Sequence, residues 1–249
     1  MALTDKLVAI ADAIRAKTGR PDKLTLEDMA VEIEGIQAGG GDDGSFKAVI
    51  ERTAVNPTLP SDLTSIGKYA FYYCSSLELT ALPSTIVSIG DRAFYMCTKL
   101  ALTSLPSKLS KIGEYAFYYC SALKLVDLPN SVSSIGEYAF YYCTSLTDFK
   151  LPSSLTTIGA NAFNGCNKLK VASIPASVMS IGTYIFRYCS LITNITFEGK
   201  PNSISAAAFT DCTNLLTINV PWAEGEVANA PWGATKSTIN YNYTGEATE

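Results

Sequence analysis

Apolar and polar positions recur along most of this chain with a fixed period. Isoleucine stands at Ile66, Ile89, Ile112, Ile135, Ile158, Ile181 and Ile204. Phenylalanine follows at Phe71, Phe94, Phe117, Phe140, Phe163, Phe186 and Phe209, and cysteine at Cys74, Cys97, Cys120, Cys143, Cys166, Cys189 and Cys212. Every gap is 23 residues, and no insertion separates the seven copies. Gly67, Gly90, Gly113, Gly136, Gly159 and Gly182 keep the same period until Ser205 interrupts it. Pro60, Pro83, Pro106, Pro129, Pro152 and Pro175 do so until Glu198, and Pro221 restores the column. A supersecondary unit of this length cannot bury its own apolar face, whereas stacked units share one continuous core. Within a unit, Phe149 and Leu151 alternate with Lys150, which predicts a short strand with one face buried that Pro152 ends. A turn follows in which Gly159 is free to take a positive φ. Neighbouring strands then lie about 4.8 Å apart, and each column becomes a ladder through the stack.

The segment Leu151–Leu169, LPSSLTTIGANAFNGCNKL, resembles the BspA-like leucine-rich repeat, and the resemblance runs over roughly residues 59–220. It implies a curved solenoid with a parallel sheet on the concave side. The expected fold is therefore an α/β repeat solenoid of seven 23-residue leucine-rich repeats with a parallel β-sheet. The strand face would present the outward column Ala81, Ser104, Asp127, Lys150, Ser173, Thr196 and Asn219, which is mixed in charge and favours no ligand type.

The heptapeptide Glu114–Cys120 recurs letter for letter at Glu137–Cys143, and with one change at Lys68–Cys74. At about 100° per residue, a helical or 3₁₀ turn would put Ala116, Phe117 and Cys120 on one arc and Tyr115, Tyr118 and Tyr119 on the other. The outward columns drift between repeats: Tyr69, Arg92, Tyr115, Tyr138, Asn161, Tyr184, Ala207; then Tyr72, Tyr95, Tyr118, Tyr141, Asn164, Arg187, Thr210; then Tyr73, Met96, Tyr119, Tyr142, Gly165, Tyr188, Asp211. Replacement by Arg, Asn or Asp suits solvent, since a buried unpaired charge is costly. Tyr69, Tyr72, Tyr73, Tyr95, Tyr115, Tyr118, Tyr119, Tyr138, Tyr141 and Tyr142 thus form a candidate binding stripe. Tyrosine offers large contact area at low entropic cost and suits protein or sugar partners. The same residues could simply stack and shield the core.

The two ends break the pattern. Residues 4–17 and 25–35 read as short amphipathic helices, so residues 1–36 are expected to form a small α-helical hairpin that attaches to a partner or to a second copy. Residues 37–45 read as a Gly-rich linker. Gly39, Gly41 and Gly44 formally meet a dinucleotide-loop spacing, but they follow a helix and precede strand-like residues, the reverse of what that motif requires. Residues 46–58 read as an N-terminal capping strand, residues 59–220 as the solenoid and residues 221–249 as a C-terminal cap. In the cap, Trp222 and Trp232 cover the last rung and Thr238–Tyr243 adds a closing strand, because an open solenoid end needs cover. Residues 3–36 resemble the N-terminal module of tail-associated proteins in phages and prophages of Gram-positive bacteria. Residues 219–234 and 238–243 are similar to C-terminal ends found on such proteins.

Composition narrows the chemistry. Apolar residues make up 47% and charged residues 17% of the 249, enough for a substantial core. The net charge of −4 lies wholly in residues 1–43, which carry five Lys/Arg and nine Asp/Glu; the remaining residues carry 14 of each. No basic field is present for nucleic acid. Histidine is absent, which removes Ser-His-Asp and Cys-His catalysis and imidazole metal sites. No two cysteines stand closer than 23 residues, so no CxxC pair exists. A buried thiol ladder is the default reading of the column, with disulfides, a metal or a reactive thiol as alternatives. No cofactor, metal or catalytic residue is expected, and the chain is read as non-enzymatic. No apolar run of about 18 residues occurs, so no membrane insertion is expected. The N-terminal residues lack the continuous apolar stretch of a signal peptide. The expectation is a chain cytoplasmic at synthesis that acts in a virion or phage tail, otherwise at a cell surface. Its partner would be a protein or a cell-surface glycan on a host cell, and a BspA-like surface adhesin is the alternative.

Overall fold

The computed structural model describes residues 55–170 and 173–245. The expected hairpin of residues 1–36, the linker 37–45 and most of the capping strand 46–58 lie outside these. Val55–Thr58 adopt no strand, although Val55 O accepts a 2.6 Å hydrogen bond from the Glu78 N–H. Among the described residues there is no helix, so the solenoid is built from parallel strands and turns rather than as an α/β repeat.

One parallel sheet runs through all seven repeats. Its strands are two residues each: β1 (Ser65–Ile66), β2 (Ser88–Ile89), β3 (Lys111–Ile112), β4 (Ser134–Ile135), β5 (Thr157–Ile158), β7 (Ser180–Ile181) and β9 (Ser203–Ile204). Isoleucine pairs with isoleucine at every step. A β-branched side chain packs well on a pleated surface, and each of these isoleucines is at most 3% exposed.

The continuous sheet is therefore not where the alternation of Phe149, Lys150 and Leu151 places it. On that face a second sheet forms only in the later repeats, from β6 (Ser173–Ile174), β8 (Asn194–Phe197), β10 (Thr217–Asn219) and β11 (Thr238–Asn240), in the order β11-β10-β8-β6. Earlier repeats contribute only an isolated bridge between Asp127 and Lys150. Composition explains the difference. Proline ends segments of both kinds, as Pro152, Pro175 and Pro221 show; the early ones carry leucine before it (Leu82, Leu105, Leu128 and Leu151), where the later ones carry the better strand formers Ile174, Phe197 and Val220. Where Glu198 replaces the proline, its N–H donates to Ile174 O at 2.9 Å, and β8 reaches four residues.

The glycine column is also explained differently from the expectation. None of Gly90, Gly113, Gly136, Gly159 or Gly182 has a positive φ. Each closes a two-residue strand, and its N–H donates to the isoleucine carbonyl of the preceding rung, as Gly113 does to Ile89 at 2.9 Å. A Cβ at Gly136 would lie 2.6 Å from Glu114 N and Gly113 C, and 2.7 Å from Gly113 O. Glycine is required there by backbone meeting backbone.

The interior is a set of ladders. Six parallel stacked pairs carry the phenylalanine column from Phe71 to Phe209, with ring centroids 5.3–6.1 Å apart. At the C-terminal end Trp222 and Trp232 are buried and meet edge-on at 6.3 Å, and both contact the Phe197 ring. The Trp232 indole N–H donates to Ala228 O at 2.8 Å, so the one polar atom of this large side chain is satisfied. Strand β11 pairs in register with β10 and closes the second sheet on that side.

Candidate functional site

The tyrosine stripe grows from the backbone that follows each glycine. In the third repeat, alternate N–H groups serve two different purposes. Those of Ala116, Tyr118 and Cys120 donate to Gly113, Tyr115 and Phe117, closing three overlapping turns within the rung. Those of Tyr115, Phe117 and Tyr119 donate to Glu137, Ala139 and Tyr141 of the next rung at 2.7–2.8 Å. Every donor of the segment is used, as buried backbone requires. The segment is thus not a helical or 3₁₀ turn. It is a run of β-turns cross-linked to its neighbour.

This geometry sets the φ angles. Tyr115 (φ 55) and Tyr119 (φ 57) occupy the third position of the turns Gly113–Ala116 and Phe117–Cys120. A positive φ at that position defines a type II turn. The same sign recurs at Tyr69, Tyr73, Arg92, Met96, Tyr138, Tyr142, Asn161, Tyr184, Tyr188 and Asp211, and at Gly165. Glycine or asparagine is the usual occupant. A left-handed L-residue costs roughly 1–2 kcal/mol, so the two outer tyrosine columns sit where tyrosine is locally disfavoured. Side-chain stacking offsets that cost. Tyr95, Tyr118 and Tyr141 stack at 4.5 and 4.8 Å, within 3° of parallel, and Tyr72 joins Tyr95 at 4.9 Å. Tyr115 stacks on Tyr138 at 4.7 Å and Tyr119 on Tyr142 at 4.9 Å. Stacked aromatic pairs contribute about 0.5–1.5 kcal/mol beyond the area they bury.

The inward half of the wheel agrees with the structure: Ala116, Phe117 and Cys120 have no exposed surface. The outward half is less simple. Tyr69, Tyr72, Tyr73, Tyr95, Tyr115, Tyr118, Tyr119, Tyr138, Tyr141 and Tyr142 are all half-buried, and the fold brings them into one continuous patch. Burial and the neighbouring hydroxyls of Tyr73 and Tyr72 push the Tyr95 phenol up to about 12. Burial, then neighbouring phenols, likewise raise Tyr118 and Tyr141. Two arginines that sequence reasoning treated only as solvent-compatible replacements belong to the patch. The Arg92 guanidinium lies 4.4 Å from the Tyr115 ring centroid and 5.7 Å from that of Tyr69, a cationic rung inside the first column. Arg187 sits against Tyr184 and Tyr188 and pairs with Asp211 at 2.9 Å. In the fifth repeat Asn161, Asn164 and Gly165 interrupt the stripe. Asn164 is not solvent-facing as its column suggests: it is 4% exposed, its amide N–H donates to Asn161 Oδ1 at 2.8 Å, and its Oδ1 has no partner. Nothing in the sequence of that column marks this burial.

All seven cysteines are buried free thiols. From Cys97 onward each Sγ donates to the phenylalanine carbonyl of the preceding rung at 2.8–3.2 Å. Burial raises their pKa values, to about 12 at Cys166 and Cys212. A protonated, inaccessible thiol is neither nucleophile nor ligand. Among the described residues no three His, Cys, Asp or Glu side chains converge to hold a metal ion. On the strand face Ala81, Ser104, Asp127 and Lys150 are exposed, while Asn219 is buried and donates to Thr196 Oγ1 at 3.0 Å.

Six copies of the BspA type leucine rich repeat match this chain, over residues 45–140 and 110–229. The chain belongs to the BspA-type leucine-rich repeat family. No curated protein matches it in sequence. Among solved structures of such repeat proteins, one from T. pallidum is 30% identical over 67% of this chain and 72% of its own, with a TM-score of 0.49. A leucine rich cell surface protein of Faecalibacterium prausnitzii is 27% identical over 67% of this chain and 54% of its own, with a TM-score of 0.53. The pneumococcal vaccine antigen PcpA shares the fold at 22% identity over 72% of this chain and 44% of its own, with a TM-score of 0.56. This BspA-type chain therefore spans about half the length of the latter two proteins.

Proposed function

We propose that this BspA-type repeat protein is a non-catalytic binding module that displays its tyrosine stripe to a protein or glycan on a host cell. The observation that carries the proposal is the stripe itself. Ten tyrosines from four repeats gather into one half-exposed patch, while the inward side of the same turns is fully buried. In the fifth rung Asn161, Asn164 and Gly165 stand in the three tyrosine columns, the Tyr142 ring packs over Gly165, and Phe163 and Cys166 are as buried as any. The setting we favour is a phage or prophage tail, with residues 1–36 attaching to the tail or to another copy, on the strength of the resemblances at residues 3–36 and 219–243. The likeness to a leucine rich cell surface protein supports a second reading, a surface adhesin.

Changing Tyr118 and Tyr141 to Ser, and measuring binding to bacterial cell-wall preparations beside the melting temperature, tests the display function. Binding should fall. Unchanged binding with lowered stability refutes it. Tail genes adjoining the coding sequence would favour the tail setting, and export of the chain by an expressing bacterium the adhesin.

A further inference from the structure

The margin of the stripe carries charge in an order that one chain alone does not satisfy. Directly before the first tyrosine column stand Lys68, Asp91, Glu114 and Glu137, one on each of the first four rungs. Lys68, Glu114 and Glu137 are exposed, and none of the three forms an ion pair among the described residues. Like charges on neighbouring rungs repel, as the two glutamates do here. Asp91 differs, because its Oδ1 accepts the Glu114 N–H at 3.0 Å. Arg92 adds a second cation on rung two, held between the Tyr69 and Tyr115 rings. The unanswered charge thus runs from positive on rungs one and two to negative on rungs three and four.

The tyrosines occupy the same four rungs. Rungs one, three and four each present three of them, whereas rung two presents Arg92, Tyr95 and Met96. Consider two stripes face to face, related by a two-fold axis that lies across them between rungs two and three. The axis reverses the rung order and keeps each column opposite itself. Rung one then faces rung four of the second copy, and rung two faces rung three. Lys68 meets Glu137. Arg92 meets Tyr115 with Glu114 beside it, and Met96 meets Tyr119, so the one rung that breaks the stripe brings a guanidinium and a thioether to aromatic rings. Every contact occurs twice, as in any isologous pair. An axis along the solenoid would instead set the charged margin against the neutral column Ser75, Thr98, Ser121 and Thr144 and leave its charges unanswered. An unrelated partner has no reason to carry the inverse of this charge order, whereas the chain carries it itself.

We infer that two copies of this chain pair stripe to stripe with their solenoids antiparallel, through these charges and the tyrosines between them. Four rungs about 4.8 Å apart make a small face, at the low end of specific interfaces, so the pair is weak and reversible. The inference stands apart from the display function. One face cannot serve both at once, so a host partner and the second copy compete for it. The test is sedimentation velocity of the full chain from low micromolar to millimolar concentration. A monomer–dimer equilibrium is expected, weakened by salt. Lys68→Glu and Glu137→Lys each set like charges opposite one another twice, and each should weaken the dimer at least about tenfold. The double variant K68E/E137K restores the pair with its signs exchanged and should recover most of the parent's affinity. Both side chains are exposed, so all three variants should melt within about 2 °C of the parent. A chain monomeric at every concentration, a dimer indifferent to both single variants, or a double variant as weak as the singles overturns the inference. Cell-wall binding by a chain that never dimerises removes the dimer and leaves the display function standing. A dimer rescued by the double variant, in a chain whose cell-wall binding ignores the Tyr118→Ser, Tyr141→Ser change, does the reverse.

Discussion

Gly136→Ala adds one methyl group where two rungs touch, and it isolates the contact that sets the rung spacing. The new Cβ would lie 2.6 Å from Glu114 N and Gly113 C, and 2.7 Å from Gly113 O. These are backbone atoms, so no side chain can swing aside. The rungs are tied on both sides of the clash, by Gly136 N to Ile112 O at 3.1 Å and by Tyr115 N to Glu137 O at 2.8 Å. Overpacking a tight site costs about 1–3 kcal/mol, and loosening one rung hydrogen bond adds about 1 kcal/mol. Against this, alanine restricts the unfolded chain and stabilises by about 0.4–1 kcal/mol. The clash wins, leaving a net loss of about 1–3.6 kcal/mol. At about 2–4 °C per kcal/mol for a chain of this size, the melting temperature should fall by roughly 2–14 °C, measured by circular dichroism. Gly225→Ala is the control. Gly225 has φ +83 and nothing within 4 Å of an added Cβ. It tests the left-handed backbone cost alone, about 1–2 kcal/mol before the same unfolded-state credit. If Gly136→Ala melts within 1 °C of the parent, or Gly225→Ala proves the more damaging of the two, close rung contact is not the reason for the glycine column.

Stability should be level near neutral pH, since the chain has no histidine, and should fall in alkali. The buried Cys166 and Cys212 thiols and the Tyr95 phenol titrate near 12 in the fold. Their unfolded counterparts release protons from about 9 for cysteine and about 10 for tyrosine, so the stability they contribute is lost as pH rises from about 9 to 12. A melting temperature constant from pH 7 to 11 contradicts this. Trp232→Ala removes a fully buried indole from the end of the stack and should cost about 3–5 kcal/mol. Hydrogen exchange should accelerate first in β11 and β10, and uniform acceleration across all rungs would refute an end-capping role. Asn164→Leu keeps side-chain volume while removing a buried oxygen that has no partner. It should be neutral or stabilising by up to about 1 kcal/mol, and a loss above about 2 kcal/mol in chemical denaturation would show that the oxygen is satisfied.

What the sequence determined by itself is whatever repeats with it. The 23-residue period assigns Ile112, Ala116, Phe117 and Cys120 to the core, because identical residues in identical register can only form ladders, and a ladder of small and apolar side chains is stable only away from water. The two tryptophans and the closing strand at the C-terminus were legible for the same reason: a stack must end, and its last face must be covered. What only the tertiary structure decided depends on the neighbouring rung. The main sheet follows Ile135 rather than Phe149, since strand pairing rests on which backbone groups meet across a rung. Glycine is needed at Gly136 for contact with Gly113 and Glu114, not for its own φ. Tyr115 and Tyr119 adopt left-handed backbone because their N–H groups reach forward to the next turn, and the stacking that offsets the strain consumes the ring faces. Asn164 is buried despite its polar column. The sequence therefore placed these tyrosines on the outward side of the turns, while the spacing between rungs determined that their ring faces stack on one another.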